Sequence, residues 1–132
     1  MSAANALLAA IHARLCADPQ LAERLGTGGI RDRLLPRPAL PCLVVGETET
    51  RDYSTGTEAG EEHRLTLEVW SEGAWRREAG EIADRVRMLL HDAALELDGA
   101  VLVSLAHERT RTRRQPKTDY FVAELRFRAV TE

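Results

Sequence analysis

From Glu62 to Ala93 the order of apolar and polar residues changes period once, and the change marks two elements. Leu65, Leu67 and Val69 alternate with Arg64, Thr66 and Glu68, the two-residue repeat of a strand with one face in the core. Beyond Ser71-Glu72-Gly73, residues Trp75, Ala79, Ile82, Ala83, Val86, Leu89, Leu90 and Ala93 recur at three- and four-residue steps. Arg76, Arg77, Glu81, Asp84, Arg85 and Arg87 occupy the remaining surface, so the segment is an amphipathic helix that must bury its stripe against a sheet.

The same reading extends along the chain. Ser2 can cap a helix that starts near Ala3 and carries Leu7, Leu8, Ile11 and Leu15 on one side. Asp18-Pro19 opens a second, short helix from Gln20 to Leu25, closed by Gly26. Ile30 to Leu35 is a short extended piece, and Pro36, Pro38 and Pro41 keep the chain beyond it free of helix. A strand starts at Leu43-Val44-Val45 and runs to Tyr53, its polar half Glu47-Thr48-Glu49-Thr50-Arg51-Asp52 leaving the core. Ser54 to Glu61 carries too little apolar surface to offset its ordering entropy, which predicts a mobile loop or a long hairpin tip.

After the main helix, Asp98-Gly99 between Leu95-Glu96-Leu97 and Val101-Leu102-Val103 is a hairpin signal of type I′, with positive φ at both central residues. The second strand continues through His107-Glu108 into Arg109-Thr110-Arg111-Thr112-Arg113-Arg114, where alternation puts Arg109, Arg111 and Arg113 on one face. Gln115 to Thr118 turns the chain. Asp119 to Val130 returns antiparallel, with Phe121, Ala123, Leu125, Phe127 and Ala129 toward the helices and Glu124, Arg126 and Arg128 toward water or a neighbour. The predicted class is α+β, an antiparallel or mixed β-sheet with helices packed on one face, in a single domain covering residues 1–132.

Composition narrows the function classes. A chain of 132 residues with 44% hydrophobic and 30% charged positions is globular. Its 21 acids against 18 bases give a formal charge of -3, so no global field draws it to nucleic acid or an anionic membrane. No apolar run approaches the ~18 residues of a membrane span, and the alanine-rich start lacks a signal peptide's basic n-region, which predicts a soluble protein made in the cytoplasm. Cys16 and Cys42 form no CxxC pair and are expected to be buried free thiols.

Candidate chemistry is sparse. Gly26-Thr27-Gly28-Gly29 lacks the Lys-Ser/Thr of a P-loop and follows a helix where a dinucleotide turn follows a strand. His12, His63, His91 and His107 share no metal-ligand spacing, and His91 ends a helix whose dipole favours its positive form. Ser54, Ser71 and Ser104 sit in no nucleophile elbow. The sharpest feature is the arginine run. It could grip phosphates or acidic partner loops, or pair across strands with Glu47, Glu49 or Glu124. The aromatic interleaving of single-strand binding platforms is missing.

Taken in order, Asp18-Pro19-Gln20-Leu21, Gly28-Gly29-Ile30-Arg31-Asp32, the proline-punctuated run into Pro41-Cys42-Leu43-Val44-Val45-Gly46, and His63 to Ser71 form a pattern that Leu97-Asp98-Gly99 and Leu125 to Glu132 continue. This pattern resembles the small tail-terminator or tail-completion proteins of long-tailed phages and gene transfer agents, over nearly the full length. The resemblance implies a structural virion protein, with no catalytic residues, cofactor or metal. Such a subunit is made in the bacterial cytoplasm and assembles at the head-tail junction as a hexameric ring that ends tube growth. Implied partners are further copies of itself, the tail tube protein and a head-tail connector or stopper protein, with DNA passing through the lumen and no membrane.

A ring closed by one repeated heterologous contact needs two different sticky faces on each subunit. Glu47, Glu49, Arg51, Asp52 and Tyr53 at one strand end, and Arg109, Arg111, Arg113 and Arg114 at another, differ in predominant charge and are the candidate contact residues. The acidic balance suits a DNA conduit, because a strongly basic lumen would hold the phosphates. The alternative reading is a nucleic-acid- or protein-binding adaptor that uses the arginine-rich sheet edge.

Overall fold

The computed structural model describes residues 1–73 and 76–132, and Trp75, expected on the main helical stripe, lies outside them. Two helices come first, α1 (Ala3–Cys16) and α2 (Pro19–Leu25). Ser2 caps α1 by accepting from the Asn5 N–H at 3.1 Å. Asp18 caps α2 by accepting from the Leu21 N–H at 2.9 Å, with Pro19 in the first turn where its missing N–H costs nothing. The same Asp18 carboxylate takes the Arg85 Nε–H at 2.9 Å, so one residue joins the helix corner to the third helix.

Strands β1 (Ile30–Arg31), β2 (Cys42–Asp52) and β3 (Glu61–Glu72) follow, then α3 (Arg77–Leu90), β4 (Glu96–Leu97), β5 (Ala100–Arg114) and β6 (Tyr120–Thr131). The extended piece is shorter than expected, two residues in place of the span from Ile30 to Leu35. The helix stops at Leu90, before Ala93, because His91 turns extended and Asp92 takes a positive φ of 58°. The Asp98-Gly99 hairpin forms, but only Gly99 has a positive φ (79°), so it is not the mirror-image turn expected.

The six strands form one mixed sheet in the order β1-β2-β3-β6-β5-β4, parallel only between β1 and β2. All three helices lie on one face. Ala79, Ile82, Ala83, Val86 and Leu90 of α3 are buried with Leu7, Ile11 and Leu15 of α1, above Leu65, Leu67 and Val69 of β3 and Ala123, Leu125 and Phe127 of β6. Register explains why these rows meet: Leu65 lies opposite Phe127, Leu67 opposite Leu125 and Val69 opposite Ala123. This is the α+β arrangement that the periodicities predict.

The opposite face is not wholly polar. The segment between β1 and β2 crosses it and brings Leu34 and Leu40 onto Cys42, Val44, Trp70, Val122 and Tyr120. Trp70 and Tyr120 meet edge to face, ring centroids 6.4 Å apart. Gly28 permits the crossing, since a Cβ there would stand 1.9 Å from the Pro41 carbonyl oxygen. Cys42 is buried in this second cluster, but Cys16 is exposed on the last turn of α1, contrary to the expectation of two buried thiols.

Candidate functional site

The rest of that second face is a charged surface, and two β-bulges decide which side chains reach it. A register shift between Val45 and Thr48 turns Glu49 and Arg51 onto it, opposite Arg64 and Glu62 of β3. Glu47 joins them along an open groove lined also by Thr48, Arg64, Thr66 and Arg126. A second shift between His107 and Arg109 puts Arg109 opposite Arg126, Arg111 opposite Glu124 and Arg113 opposite Val122. The three arginines therefore share a face, as their alternation predicts. Arg114 and Asp52 fall on the helix side of the sheet, opposite Phe121 and Glu61.

The centre of this face is a ladder that local sequence did not single out. Glu62 is 7% exposed and holds Arg128 at 2.8 Å and Arg64 at 3.3 Å. Arg64 continues to Glu108 at 3.3 Å, and the Arg128 guanidinium lies 5.4 Å from the centre of the Tyr53 ring. The hydrogen bond from Arg128 holds the Glu62 carboxyl below its ordinary value, with Arg64 acting in the same direction. The only advance sign was alternation in two strands that lie far apart along the chain and side by side in the sheet.

The expected pairings of the arginine run are met in part. Arg113 donates to Glu124 at 2.8 Å and to the Gln115 side-chain oxygen at 2.6 Å, and Arg114 lies 3.9 Å from Asp119. Glu47 and Glu49 do not reach the run, because β3 and β6 separate β2 from β5. Glu49 takes Arg51 of its own strand at 3.0 Å. Among the described residues, no ion pair is formed by Glu47, Arg109, Arg111 or Arg126. Arg109 and Arg126 stand directly opposite each other, a like-charge pair that costs stability unless something outside the chain offsets it.

The loop expected from Ser54 to Glu61 is a hairpin tip that ends at Gly60, since Glu61 of β3 already pairs with Asp52. Tyr53 donates to the Gly60 carbonyl at 2.9 Å, Thr55 to the Glu58 carbonyl at 2.9 Å, and Asp52 accepts from the Ser54 N–H at 3.0 Å.

Three of the four histidines serve the fold. His63 is buried between the Thr50 and Thr131 hydroxyls, at 2.8 and 2.9 Å. His91 accepts from the His107 N–H through Nδ1 at 3.0 Å, and its Nε2 lies 3.3 Å from Asp92. The described residues contain no group of three or more potential metal ligands. None of their helices is long and apolar enough to cross a membrane.

These burials set a pH response. Desolvation holds the His63 imidazole below its ordinary 6.5, and His107 shifts the same way for the same leading reason. As pH falls through 6.5 the unfolded chain takes up those protons first, so the stabilisation is complete above 6.5 and is lost toward the lower folded values. Thermal melts should be flat from pH 7 to 8 and fall progressively below 6.5, with a shallower fall in a His63→Gln chain. An equal fall in both chains would remove His63 from the account. Asp18 and Glu62, held below 3.8 and 4.5 by Arg85 and Arg128, add a second loss at more acidic pH.

A family model described as "Tail completion protein gp17" matches residues 9–132. The chain belongs to this family. Among solved structures, a chain from "Virion of native gene transfer agent (GTA) particle" matches with a TM-score of 0.89 and 33% identity, covering 99% of this chain and 98% of that one. No curated protein matches. The tail-completion family and the virion match together give the chain a structural role in a phage-type tail.

Proposed function

We propose that this tail-completion protein closes into a ring of six copies at the head-proximal end of the tail tube. There it ends tube growth, offers a docking face to the head connector or stopper protein, and leaves a lumen through which DNA passes. The observation that supports this reading is the end-to-end match with a chain of a native gene transfer agent virion. The chemistry is compatible. The charged face carries Glu62, Glu68 and Glu124 as well as Arg64, Arg126 and Arg128, and the net charge is -3, so no global field holds passing phosphates. The role is structural and no reaction is assigned to it.

Negative-stain imaging of the purified chain, alone and with tail tubes, tests this directly. Six-membered rings with a central opening, free or on tube ends, are the expected result. Arg109, Arg111 and Arg126, which form no ion pair among the described residues, favour one competitor, an adaptor that binds nucleic acid. A monomer or dimer that leaves tube ends bare, and whose DNA affinity falls steeply with added salt, would replace the ring by that reading.

A further inference from the structure

Both outer strands of the sheet are covered along half their length and open along the other half. On β2, Leu43 donates to the Gly29 carbonyl at 2.9 Å and β1 pairs with Leu43 and Val44, leaving residues 46–53 open. On β5, β4 pairs with Ala100 and Val101, the Leu105 carbonyl accepts from the Asp92 N–H at 2.9 Å, and the His107 N–H is taken by His91. That leaves residues 109–114 open. Tyr53 donates to Gly60 and Gln115 to Tyr120, so antiparallel alternation turns the backbone groups of Thr48, Thr50 and Asp52, and of Thr110, Thr112 and Arg114, outward at the two edges. Long free edges recruit other strands unless something blocks them.

We propose that the open edge of β2 in one copy pairs as an antiparallel strand with the open edge of β5 in the next, so that one sheet runs on from subunit to subunit. This deepens the ring reading and rests on it. Direction is already correct: β2 opposes β3, β3 opposes β6 and β6 opposes β5, so β2 and β5 run oppositely. A rotation about an axis roughly along the strands sets one copy's β2 beside the next copy's β5 in antiparallel sense.

Side chains agree with this pairing. Glu47 and Glu49 lie on the charged face at one edge, and Arg109 and Arg111, without partners among the described residues, lie on that face at the other. Thr48 and Thr50 lie on the helix side in line with Leu65 and His63, and Thr110 and Thr112 in line with Leu125 and Ala123. Edge to edge, the threonine rows meet on one face and the opposite charges on the other, both favourable cross-strand pairs. Thr48 shares a row with Leu65, whereas Thr110 and Thr112 share rows with Leu67 and Val69, so neighbouring copies must slide by about two to four residues. Over four strands at the usual spacings such a slide tilts the strands by roughly 20–35°, approaching the tilt of closed sheets.

The test is disulfide crosslinking in a Cys16→Ser chain, with Thr48→Cys or Thr50→Cys combined with Thr110→Cys or Thr112→Cys, four pairs in all. Under mild oxidation at least one pair should move most of the chain into a covalent ladder that ends at the ring number, and the successful pair reports the register. Rings by imaging with no ladder from any pair would overturn the edge pairing and leave the ring standing. Crosslinked dimers from a chain carrying Thr48→Cys alone would also overturn it, because they mean symmetric β2–β2 pairing. Neither rings nor crosslinks would remove both readings.

Discussion

A Phe127→Ala chain should lose about 3–5 kcal/mol of folding stability, a large part of the ~5–15 kcal/mol that holds a domain of ordinary size. Phe127 is fully buried at the middle of β6, opposite Leu65 on one neighbouring strand and His107 on the other. The His107 ring meets it edge to face with centroids 5.5 Å apart. Truncation removes the contact surface for both neighbours and opens a void beneath α3 that backbone hydrogen-bonded on both sides cannot close. Met88, 59% exposed on the outer side of the same helix, is the control, and Met88→Ala should stay within about 0.5 kcal/mol. Urea unfolding followed by circular dichroism at matched chain concentration measures both, since ring formation would otherwise add its own concentration-dependent stabilisation. A loss under about 1 kcal/mol for Phe127→Ala would mean that the centre of the core lies elsewhere.

Phe127 also shows what the sequence could and could not reveal. Its burial was legible, because β6 alternates from Ala123 to Ala129, and the same holds for β3 from Arg64 to Val69 and for the stripe of α3. The cap at Asp18 and the turn at Gly99 were legible from local residue chemistry. Pairings between distant strands were not, since alternation states that a strand has two faces and not which strand lies beside it. Glu62 therefore looked like a strand-opening polar residue, when it is the buried anchor for Arg128 and Arg64. Glu47 and Glu49 looked like partners for the arginine run, from which β3 and β6 keep them apart.

Trp70 and Val122 offered a signal that was there to be used. Trp70 stands between Glu68 and Glu72 and Val122 between Tyr120 and Glu124 on the otherwise polar face, which requires a cover, and the proline-rich segment supplies it. The candidate contact residues were likewise half legible. Alternation grouped Arg109, Arg111 and Arg113, but that Arg113 is already engaged with Glu124, while Arg109 and Arg111 form no ion pair among the described residues, emerges only from the structure.

That distinction makes charge reversal at Arg109 and Arg111 informative. In the isolated chain Arg109 faces Arg126, so Arg109→Glu replaces a like-charge pair by an opposite one and should leave the monomer as stable as before or more so. At the proposed contact the same change, made together with Arg111→Glu, sets two carboxylates against Glu47 and Glu49. An exposed pair is worth only about 0.2–1 kcal/mol, and reversing two of them costs roughly 1–3 kcal/mol per contact. Repeated around a six-membered ring, even the lower end amounts to about 6 kcal/mol, a factor above 10⁴ in ring formation. Arg111→Glu sets a carboxylate opposite Glu124 and offsets the gain at Arg126, so the expected result is a chain that melts close to the original temperature yet forms no rings in low salt. Adding Glu47→Arg and Glu49→Arg to the same chain should restore them, because the signs are then exchanged and the attraction returns. High salt should weaken both effects, as screening requires. Rings that survive the Arg109→Glu, Arg111→Glu change at low ionic strength would exclude these charges from the contact, and a chain that fails to fold would exclude the idea that Arg109 is spared for a partner outside it.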